Sequence, residues 1–404
     1  MSCPFCNGFM TGISPTQTRL ERHRQQFPAL ANKAYFNYGG QGTLPQASLE
    51  AIQQVYEYIQ QHGPFSSRVN SWLVEEATLT RLAIASELSV PVETITLTEN
   101  VTTGCNIAMW GIDWQAGDHL LLTDCEHPGI VATALEIERR FQVEVSTCPI
   151  LSSLNQGNPA SIIVEHLKPR TRLVVLSHLL WNTGQVLPVS EIVEAIRTYS
   201  SNSEQIRVLV DAAQSAGSLA LNLSELGADF YAFTGHKWFC GPAGVGGLYV
   251  QPEALPSLNP TFVGWRGVNL DEVGKPVGWK TDGRRFEIAT SAYPLYSGLR
   301  AAIATHQQWG TPEERYQQIC QLSEYLWQRL SELDKVRPLS TLPPQAGLVS
   351  FVLTNGESHQ QLVSSLERQG FMLRTILYPN CIRACVHYFT NKAEIDQLVE
   401  VIQG

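Results

Sequence analysis

The chain lacks the features that mark membrane, secreted or nucleic-acid-binding proteins. No apolar run in its 404 residues approaches the ~20 residues that a membrane helix needs. Only 16% of the residues are charged and the formal net charge is −9, which argues against a nucleic-acid or anionic-membrane surface. Nine scattered cysteines are too few for a disulfide scaffold, and no basic residue precedes Arg19, as a secretory signal would require. These absences predict a cytoplasmic globular protein.

The N-terminal leader contains one C-x-x-C pair, Cys3-Pro4-Phe5-Cys6. Without a second pair or nearby histidines, this spacing is weak evidence for a metal or redox site, and we predict no metal. The leader is polar and contains glycine, which is typical of a disordered tail.

Strand-like apolar runs alternate with amphipathic helical stretches up to about Tyr296. The predicted strands are Ile95–Thr98, His119–Thr123, Val143–Thr147, Arg172–Leu176, Val208–Val210, Phe230–Phe233 and Gly247–Val250. This alternation predicts an α/β fold in which helices cover a mostly parallel, seven-stranded sheet. Two helices, the strand Leu348–Leu353, a further helix and the strand Ile382–Tyr388 then predict a smaller α+β domain. We therefore expect an arm (1–44) that packs with the small domain, a large domain (45–296) and a small domain (297–404).

The most informative motif is Thr234-Gly235-His236-Lys237-Trp238, because a Gly/Pro-rich turn follows it directly. A lysine between an apolar strand and a glycine loop lies where a ligand can approach closely. Earlier in the chain, the buried-type run Val208–Val210 ends in Asp211, at the strand end where ligands bind to open α/β sheets. Pyridoxal phosphate (PLP) needs this pair, a lysine for its aldehyde and an acid that keeps its pyridine nitrogen protonated. The alternative is that Asp211 caps a short helix and Lys237 is a surface charge.

Three separated motifs resemble, in the same order, the cysteine desulfurase group of fold-type I PLP enzymes. They are Asp211-Ala212-Ala213-Gln214, Thr234-Gly235-His236-Lys237-Trp238 and Gly241-Pro242-Ala243-Gly244-Val245-Gly246. The resemblance extends from about Tyr35 to the C-terminus and is strongest to the L-cysteine/cystine C–S lyases. It implies an aspartate aminotransferase-like (class V aminotransferase-like) fold, PLP as the cofactor, and Lys237 and Asp211 as catalytic residues.

The phosphate of the cofactor requires backbone donors at a helix N-terminus together with hydroxyl groups. Thr102 and Thr103 follow a predicted strand and open a helical run, which suits that role; a simple threonine N-cap is the alternative. The resemblance implies further phosphate contacts from Thr234 and His236. It also implies that Thr290 reaches the phosphate site of a partner subunit, so the active unit is expected to be a homodimer.

Three more residues are assigned to the ring of the cofactor. The resemblance implies that His127 stacks on the pyridine ring and relays protons near neutral pH. Gln214 is expected to donate a hydrogen bond to the phenolic oxygen. Asn182 is expected to face the same oxygen or the substrate.

An amino-acid substrate needs a clamp for its carboxylate, and the planar fork of arginine provides one. Arg374 and Arg383 match arginines of the family and stand alone among apolar neighbours, which favours anionic partners. The alternative is a pair of structural salt bridges. Only the eight residues 375–382 separate them, whereas cysteine desulfurases carry a longer loop whose cysteine attacks the substrate sulfur. Cys381 lies near the end of this short segment, and a position beside the clamp argues for a structural cysteine.

Without a mobile cysteine, the predicted reaction is β-elimination from L-cystine or L-cysteine, giving pyruvate, ammonia and cysteine persulfide or sulfide. Such sulfur is of the kind that iron–sulfur cluster assembly consumes, and a sulfur-acceptor protein is one candidate partner. The enzymatic alternatives are a cysteine desulfurase that forms alanine through Cys381, and an epimerase or aminotransferase of the same fold. The alternative from another class is a non-catalytic sulfur or iron–sulfur scaffold.

Overall fold

A computed structural model describes residues 18–200 and 205–404, so the Cys3–Cys6 leader lies outside the described residues. The helices are α1 (Arg19–Arg24), α2 (Gln46–His62), α3 (Ser67–Leu88), α4 (Val101–Trp110), α5 (Pro128–Phe141), α6 (Pro159–Glu165), α7 (Val189–Tyr199), α8 (Leu223–Leu226), α9 (Tyr293–Gln307), α10 (Pro312–Ser331), α11 (His359–Arg368) and α12 (Lys392–Gln403). The strands are β1 (Ala34–Tyr35), β2 (Ile95–Thr98), β3 (His119–Thr123), β4 (Glu144–Cys148), β5 (Thr171–Ser177), β6 (Arg207–Asp211), β7 (Phe230–Thr234), β8 (Gly246–Val250), β9 (Val268–Leu270), β10 (Pro276–Trp279), β11 (Val336–Pro338), β12 (Leu348–Leu353), β13 (Phe371–Met372), β14 (Arg374–Ile376) and β15 (Cys381–Cys385).

The central sheet has seven strands in the order β2-β8-β7-β6-β5-β3-β4. Strands β3 to β7 pair in parallel, and β8 runs antiparallel to both β2 and β7. The predicted α/β fold and mostly parallel sheet are thus confirmed, and each of the seven predicted strands is found within one residue of its predicted bounds.

Alternating side chains of the central strands fill two separate hydrophobic cores, because successive residues of a strand point to opposite faces of the sheet. In β5, Val174 and Leu176 pack into one core, and Leu173 and Val175 pack into the other. A sheet that is buried on both faces needs these near-continuous apolar runs. Its polar side chains are therefore concentrated at the strand ends.

A second, four-stranded sheet has the order β11-β12-β15-β14, and all its pairs are antiparallel. The strand predicted at Ile382–Tyr388 ends earlier, at Cys385, since the chain turns where the His387 N–H donates to Thr390 Oγ1. From the N-terminal segment, β1 pairs in parallel with β13.

The predicted boundary between residues 296 and 297 falls inside α9, which packs against α2 and α3. The pattern change at Tyr296 thus lies three residues after the start of α9 at Tyr293. The division of the chain into three parts stays a prediction. None of the described helices has the length and apolar character to cross a membrane.

Candidate active site

A solvent-open cleft of about 1270 Å³ lies at the carboxyl ends of β3, β5, β6 and β7. It is lined by Gly39, Gly40, Asn100, Val101, Thr102, Thr103, His127, Ser177, Leu179, Trp181, Asp211, Ala213, Gln214, His236, Lys237, Arg374 and Arg383. Parallel strands bring their carboxyl ends to one edge, so residues far apart in sequence meet there. Nine of the predicted site residues are in this wall; Asn182, Thr234 and Thr290 are not.

Lys237 lies in a tight turn after β7, where the Cys240 N–H donates to the Lys237 carbonyl oxygen at 3.0 Å. Gly42 closes this turn from the other side: its N–H donates to the His236 carbonyl oxygen at 2.7 Å. A Cβ on Gly42 would lie 2.1 Å from the Lys237 carbonyl oxygen, so only glycine fits. Removal of water from around the Lys237 amine lowers its pKa to about 8, against the opposing effect of the Asp211 charge. The amine therefore loses its proton readily near neutral pH.

Two buried histidines hold the turn that follows the lysine. His387 Nε2 lies 3.0 Å from the Trp238 carbonyl oxygen, and His306 Nε2 lies 2.9 Å from the Phe239 carbonyl oxygen. A carbonyl oxygen only accepts, so both Nε2 atoms carry hydrogens and donate. Burial lowers the pKa of His387 to about 3, which keeps that ring neutral. The backbone beside the lysine is thus held by α9, which carries His306, and by the segment after β15, which carries His387.

The side chains of Cys240, His306 and His387 bring potential metal-ligand atoms within 4.8 Å of one another. The Nε2 atoms of both histidines donate to carbonyl oxygens and so present no lone pair. His387 Nδ1 accepts the Tyr388 N–H, and His306 Nδ1 lies 2.7 Å from Tyr388 Oη. This cluster is a satisfied hydrogen-bond network and gives no reason to assign a metal.

Asp211 ends β6 and is buried, with only 5% of its surface exposed. One carboxylate oxygen accepts the Ala213 N–H at 2.9 Å. Burial raises its pKa, while the Ala213 N–H and the charges of Lys237 and His127 oppose that rise. No described Lys, Arg or His lies within ion-pair distance of this carboxylate. Asp211 therefore presents a buried anion that a cation in the cleft would stabilise.

The N-terminus of α4 forms one end of the cleft. Asn100 is its N-cap, and its side chain accepts the Thr103 N–H at 3.0 Å. Thr103 Oγ1 also approaches this oxygen, at 3.4 Å, whereas Thr102 is exposed to the cleft. The alternative of a threonine N-cap is not found, because Asn100 caps the helix, and this leaves the Thr102 hydroxyl for an anion.

His236 faces the same end of the cleft, and Thr234 lies behind it. Thr234 is 1% exposed, and its Oγ1 lies 2.6 Å from His236 Nδ1. Burial lowers the pKa of His236 to about 4, so the ring is neutral. In the tautomer whose Nδ1 accepts from the threonine hydroxyl, Nε2 carries a hydrogen that can be donated to an anion. Thr234 thus contacts His236, and its predicted contact with the phosphate stays a prediction.

His127 is the N-cap of α5, and its Nδ1 accepts the Gly129 N–H at 3.2 Å. Its ring meets Trp181 edge-on, with centroids 5.7 Å apart and planes at 68°. Partial burial and the charge of Lys237 lower the pKa of His127, so a neutral ring with its hydrogen on Nε2 faces the cleft. Trp181 donates from Nε1 to the Cys125 carbonyl oxygen at 3.0 Å, which keeps this wall in place.

Gln214 and Asn182 differ in their access to the cleft. Gln214 accepts from Trp238 Nε1 through Oε1 and donates from Nε2 to the Gly39 carbonyl oxygen, both at 2.9 Å. One of its two Nε2 hydrogens remains for a ligand. Asn182 is 1% exposed and donates from Nδ2 to the Tyr378 carbonyl oxygen, so it supports the wall from behind.

Arg374 and Arg383 are paired directly across β14 and β15. Two like charges in this arrangement repel each other. Arg383 is 2% exposed; its Nη1 donates to the Trp181 carbonyl oxygen at 2.7 Å, and its Nε has no hydrogen-bond partner. Within residues 18–200 and 205–404 neither arginine has a carboxylate at ion-pair distance. The two cations in the cleft wall therefore call for an anionic ligand.

Cys381 is fully buried and does not line the cleft, and no described cysteine does. Its Sγ lies 3.7 Å from the Asn182 carbonyl oxygen. Burial raises the pKa of the thiol to about 12, with Ser350 and Arg383 opposing that rise. A thiol in such surroundings is a poor nucleophile.

Several wall residues were not predicted. Ser177 lies at the end of β5, one residue beyond the predicted strand, and a search of strand ends for polar residues would have found it. Gly39 comes from the N-terminal segment, and a Cβ there would lie 2.9 Å from the Arg383 guanidinium, so a larger residue would displace that side chain. No local pattern marks that approach. Thr290 is exposed and lies outside the cleft of its own chain.

Comparison with known proteins supplies the family. The model of the family described as Aminotransferase class-V matches residues 34–398. A solved complex of the cystine C–S lyase C-DES with its reaction product cysteine persulfide is 54% identical, with a TM-score of 0.91 over 93% of this chain and 98% of that chain. A C-DES mutant with glycine covalently linked to the PLP cofactor has a TM-score of 0.92 and the same identity, over 94% of this chain and 99% of that one. A probable cysteine desulfurase of Xylella fastidiosa (strain 9a5c) is 27% identical over 389 residues, 93% of this chain and 89% of the relative.

The chain therefore belongs to the aminotransferase class-V family. The resemblance seen in its motifs is confirmed.

Proposed function

We propose that this member of the aminotransferase class-V family is a PLP-dependent C–S β-lyase that acts on L-cystine or L-cysteine. The observation that carries the proposal is the position of Cys381. A desulfurase needs a cysteine that reaches the substrate sulfur, and here the candidate is buried outside a cleft that no described cysteine lines. The high identity to C-DES, a cystine C–S lyase, supports the same conclusion.

The cleft fits PLP by the chemistry of its donors. Lys237 offers an amine for the aldehyde, and the buried, unpaired carboxylate of Asp211 suits a protonated ring nitrogen. Thr102 and His236 offer donors to a phosphate at the N-terminus of α4, and His127 offers a flat neutral ring. Bound PLP supplies an electron sink that stabilises negative charge at the substrate Cα.

The chain's own residues perform the proton transfers. The Lys237 amine has a pKa of about 8 and can accept the Cα proton of the substrate near neutral pH. Asp211 keeps its carboxylate in place by accepting the Ala213 N–H. His127 is held by its Gly129 contact with the Nε2 hydrogen towards the cleft, where it can donate to a departing group. The wall thus contains both an acceptor and a donor of protons.

Arg383 is proposed to bind the α-carboxylate of the substrate. Its guanidinium is buried and fixed by the Trp181 carbonyl oxygen, so an incoming carboxylate meets a preorganised donor whose Nε is unsatisfied. Arg374 is more exposed and stands across the strand pair from Arg383. It suits the second carboxylate of cystine, which cysteine does not have.

The bond that breaks is the Cβ–S bond. Because no thiolate is present to take the sulfur, the electron pair leaves with it, as a thiolate or persulfide anion that is then protonated. Cystine and one water thus give pyruvate, ammonia and cysteine persulfide. A persulfide is a weaker base than an ordinary thiolate, whose conjugate acid has a pKa of ~8.5, and it leaves more readily.

The active unit is proposed to be a homodimer in which Thr290 reaches the partner's phosphate site. Thr290 is exposed, and large apolar side chains are exposed on the segment that precedes it. Examples are Phe262 (67%), Trp265 (56%) and Val273 (76%). An exposed apolar surface of this kind is typical of a protein interface. Analytical ultracentrifugation that finds a monomer at active concentrations would contradict this arrangement.

The test is an end-product assay of the PLP-loaded protein with L-cystine and, separately, L-cysteine. We expect pyruvate and ammonia in equal amounts, with persulfide from cystine. Alanine with protein-bound sulfur would establish a desulfurase, and a racemised or transaminated product would establish one of the other reactions of this fold. A colourless protein after PLP addition would favour a non-catalytic scaffold.

A further inference from the structure

Tyr388 is a buried residue that the proposed reaction does not use. It follows β15 in the chain and is 1% exposed. Its hydroxyl oxygen lies 2.8 Å from Nε2 of His23, on α1, and 2.7 Å from Nδ1 of His306, on α9. Its backbone N–H donates to Nδ1 of its neighbour His387 at 3.0 Å. Tyr388 therefore contacts both of the histidines whose Nε2 atoms hold the turn after Lys237.

The turn of residues 236–239 is held at four consecutive carbonyl oxygens. The first two accept from backbone N–H groups. The last two, of Trp238 and Phe239, accept from the side chains of His387 and His306. A neutral histidine carries a hydrogen on Nε2 in one of its two tautomers, and the partner of Nδ1 decides which tautomer forms. Half of the attachments of this turn therefore depend on the groups that face the two Nδ1 atoms.

The Phe239 carbonyl oxygen sets the direction of the hydrogen bonds around Tyr388. It only accepts, so His306 carries a hydrogen on Nε2. The ring of His306 is 3% exposed, stacks on the ring of His387 with centroids 5.4 Å apart, and has a pKa that burial lowers well below the usual value, so it is neutral. Its Nδ1 then has no hydrogen and accepts from the Tyr388 hydroxyl. Because that hydroxyl has a single hydrogen, it accepts in turn from Nε2 of His23.

Helix α1 is the far end of this series of hydrogen bonds. His23 is 5% exposed, and its Nδ1, which has no hydrogen in the required tautomer, lies 3.4 Å from the Gln26 amide nitrogen. Arg24, the next residue of α1, forms an ion pair with Glu394 on α12. These contacts hold α1 against the segment that contains Tyr388. The donors therefore run in one direction, from α1 to the turn that carries the lysine.

We propose that Tyr388 is a positioning residue that couples α1 to the turn after Lys237. It accepts from His23 and donates to His306, and the donated hydrogen holds His306 in the tautomer that binds the Phe239 carbonyl oxygen. This inference rests on the proposed function, in which the Lys237 amine binds the cofactor and accepts the Cα proton. It gives the N-terminal helix, which does not line the cleft, a part in placing that amine.

The experiment compares Y388F, H306Q and the double variant in the PLP-loaded protein. Phenylalanine removes the hydroxyl and keeps the backbone N–H that donates to His387. We expect Y388F to lower kcat roughly threefold to tenfold with little change in KM, the value of one hydrogen bond between uncharged groups. A glutamine always carries hydrogens on Nε2, so H306Q does not need Tyr388 in order to donate. In the H306Q background, Y388F should therefore change kcat by less than about twofold, since the two residues act through one contact.

Substitutions of His23 test the part played by α1. H23A removes the donor to the Tyr388 hydroxyl, and we expect it to lower kcat less than Y388F does, because Tyr388 can still donate to His306. H23Q, whose amide can donate at the same place, should restore the kcat that H23A loses. The matched control is Y325F, which removes a hydroxyl on α10 that donates to Asp396 at 2.7 Å, and it should leave kcat unchanged.

A second readout depends neither on the cofactor nor on activity. Nitrogen-15 NMR of the cofactor-free protein at pH 7 should show both His306 and His387 as neutral rings with the hydrogen on Nε2. In Y388F the Nδ1 resonance of His306 should move, because that nitrogen loses its donor. The Nδ1 resonance of His387 should stay, because its donor is a backbone N–H. General damage to the fold would move both resonances and lower the urea unfolding midpoint.

The proposal is overturned if His306 carries a hydrogen on Nδ1, or if Y388F or H23A keeps the wild-type kcat. An equal effect of Y388F with and without H306Q would also overturn it, because the hydroxyl would then act through another contact. If Y388F does not fold, the wild-type spectrum and the comparison of H23A with H23Q decide. Alanine as the wild-type product would refute the lyase reaction and leave the ring-nitrogen resonances and the kcat ratios interpretable.

Discussion

Substitution of Cys381 by alanine should leave pyruvate formation almost unchanged. The thiol is fully buried, and its raised pKa of about 12 suppresses the reactive thiolate. At pH 7.5 a thiol of that pKa is ionised in only about 3 molecules in 100,000, compared with about 1 in 10 for an ordinary thiol of pKa ~8.5. The thiolate is therefore about 3,000-fold rarer than in an unperturbed cysteine. It would also have to leave the Asn182 carbonyl oxygen, 3.7 Å away, to reach the cleft.

The assay measures pyruvate, ammonia, alanine and protein-bound sulfur from L-cystine and L-cysteine. We expect the kcat of C381A to lie within about twofold of the wild type, with no alanine from either protein. The substitution removes one buried, methyl-sized group behind the cleft wall, and this should lower the free energy of unfolding by roughly 0.5–1.5 kcal/mol. Unfolding by urea checks that cost. C320A is the matched control, since Cys320 is a partly exposed thiol on α10 that does not line the cleft.

A loss of tenfold or more in kcat, with cofactor content and unfolding midpoint retained, would refute the reasoning. So would a persulfide on Cys381 found by mass spectrometry after turnover. Either result would mean that β15 moves during the reaction far enough to expose the thiol.

Three further predictions concern the other groups of the cleft. K237A should lose the visible absorption of the lysine-bound cofactor and nearly all activity; persistence of that band would remove the basis of the proposed function. R374Q should raise KM for cystine roughly 10- to 100-fold, the value of a charged hydrogen bond, with KM for cysteine unchanged, whereas an equal rise for both would give the arginine another role. The buried His387, whose pKa is lowered from 6.5 to about 3, should make the protein lose stability as pH falls from 6.5 towards 3, because the unfolded histidine binds a proton first. Urea unfolding at pH 7, 5.5 and 4.5 should show that decline, and H387Q should reduce it; an identical decline in both would assign it to other groups.

The central sheet could be predicted because burial on both faces leaves uninterrupted apolar runs. A run such as Leu173 to Leu176 contains no polar residue, so the polar residues on either side mark where the strand begins and ends. The predicted strand bounds therefore agree with the structure within one residue. The short strands β1 and β13 contain only two residues each, too few for a periodic signal. Their pairing depends on how the fold brings residues 34–35 next to residues 371–372, and the local sequence of either strand does not predict that.

The predicted site residues met in one cleft where they lay at strand ends or helix starts. Asp211, His127 and Thr102 follow that rule, because the topology of a parallel sheet brings those ends to one edge. Thr234 did not reach the wall, although it is only three residues before Lys237. It still lies within β7, and its hydroxyl meets His236 before it can reach the cleft.

Cys381 and Arg383 show what residue identity leaves open until the fold is known. They are two apart on β15, so both side chains leave the strand on the same side, and both meet the segment of residues 181–182. Arg383 reaches the Trp181 carbonyl oxygen and extends its guanidinium into the cleft wall, whereas the Cys381 thiol stops at the Asn182 carbonyl oxygen. The two residues differ because the arginine side chain is long enough to pass the backbone of residues 181–182, whereas the cysteine side chain is not. One face of one strand thus carries the proposed substrate clamp and keeps a thiol out of the cleft wall, and this favours elimination over sulfur transfer.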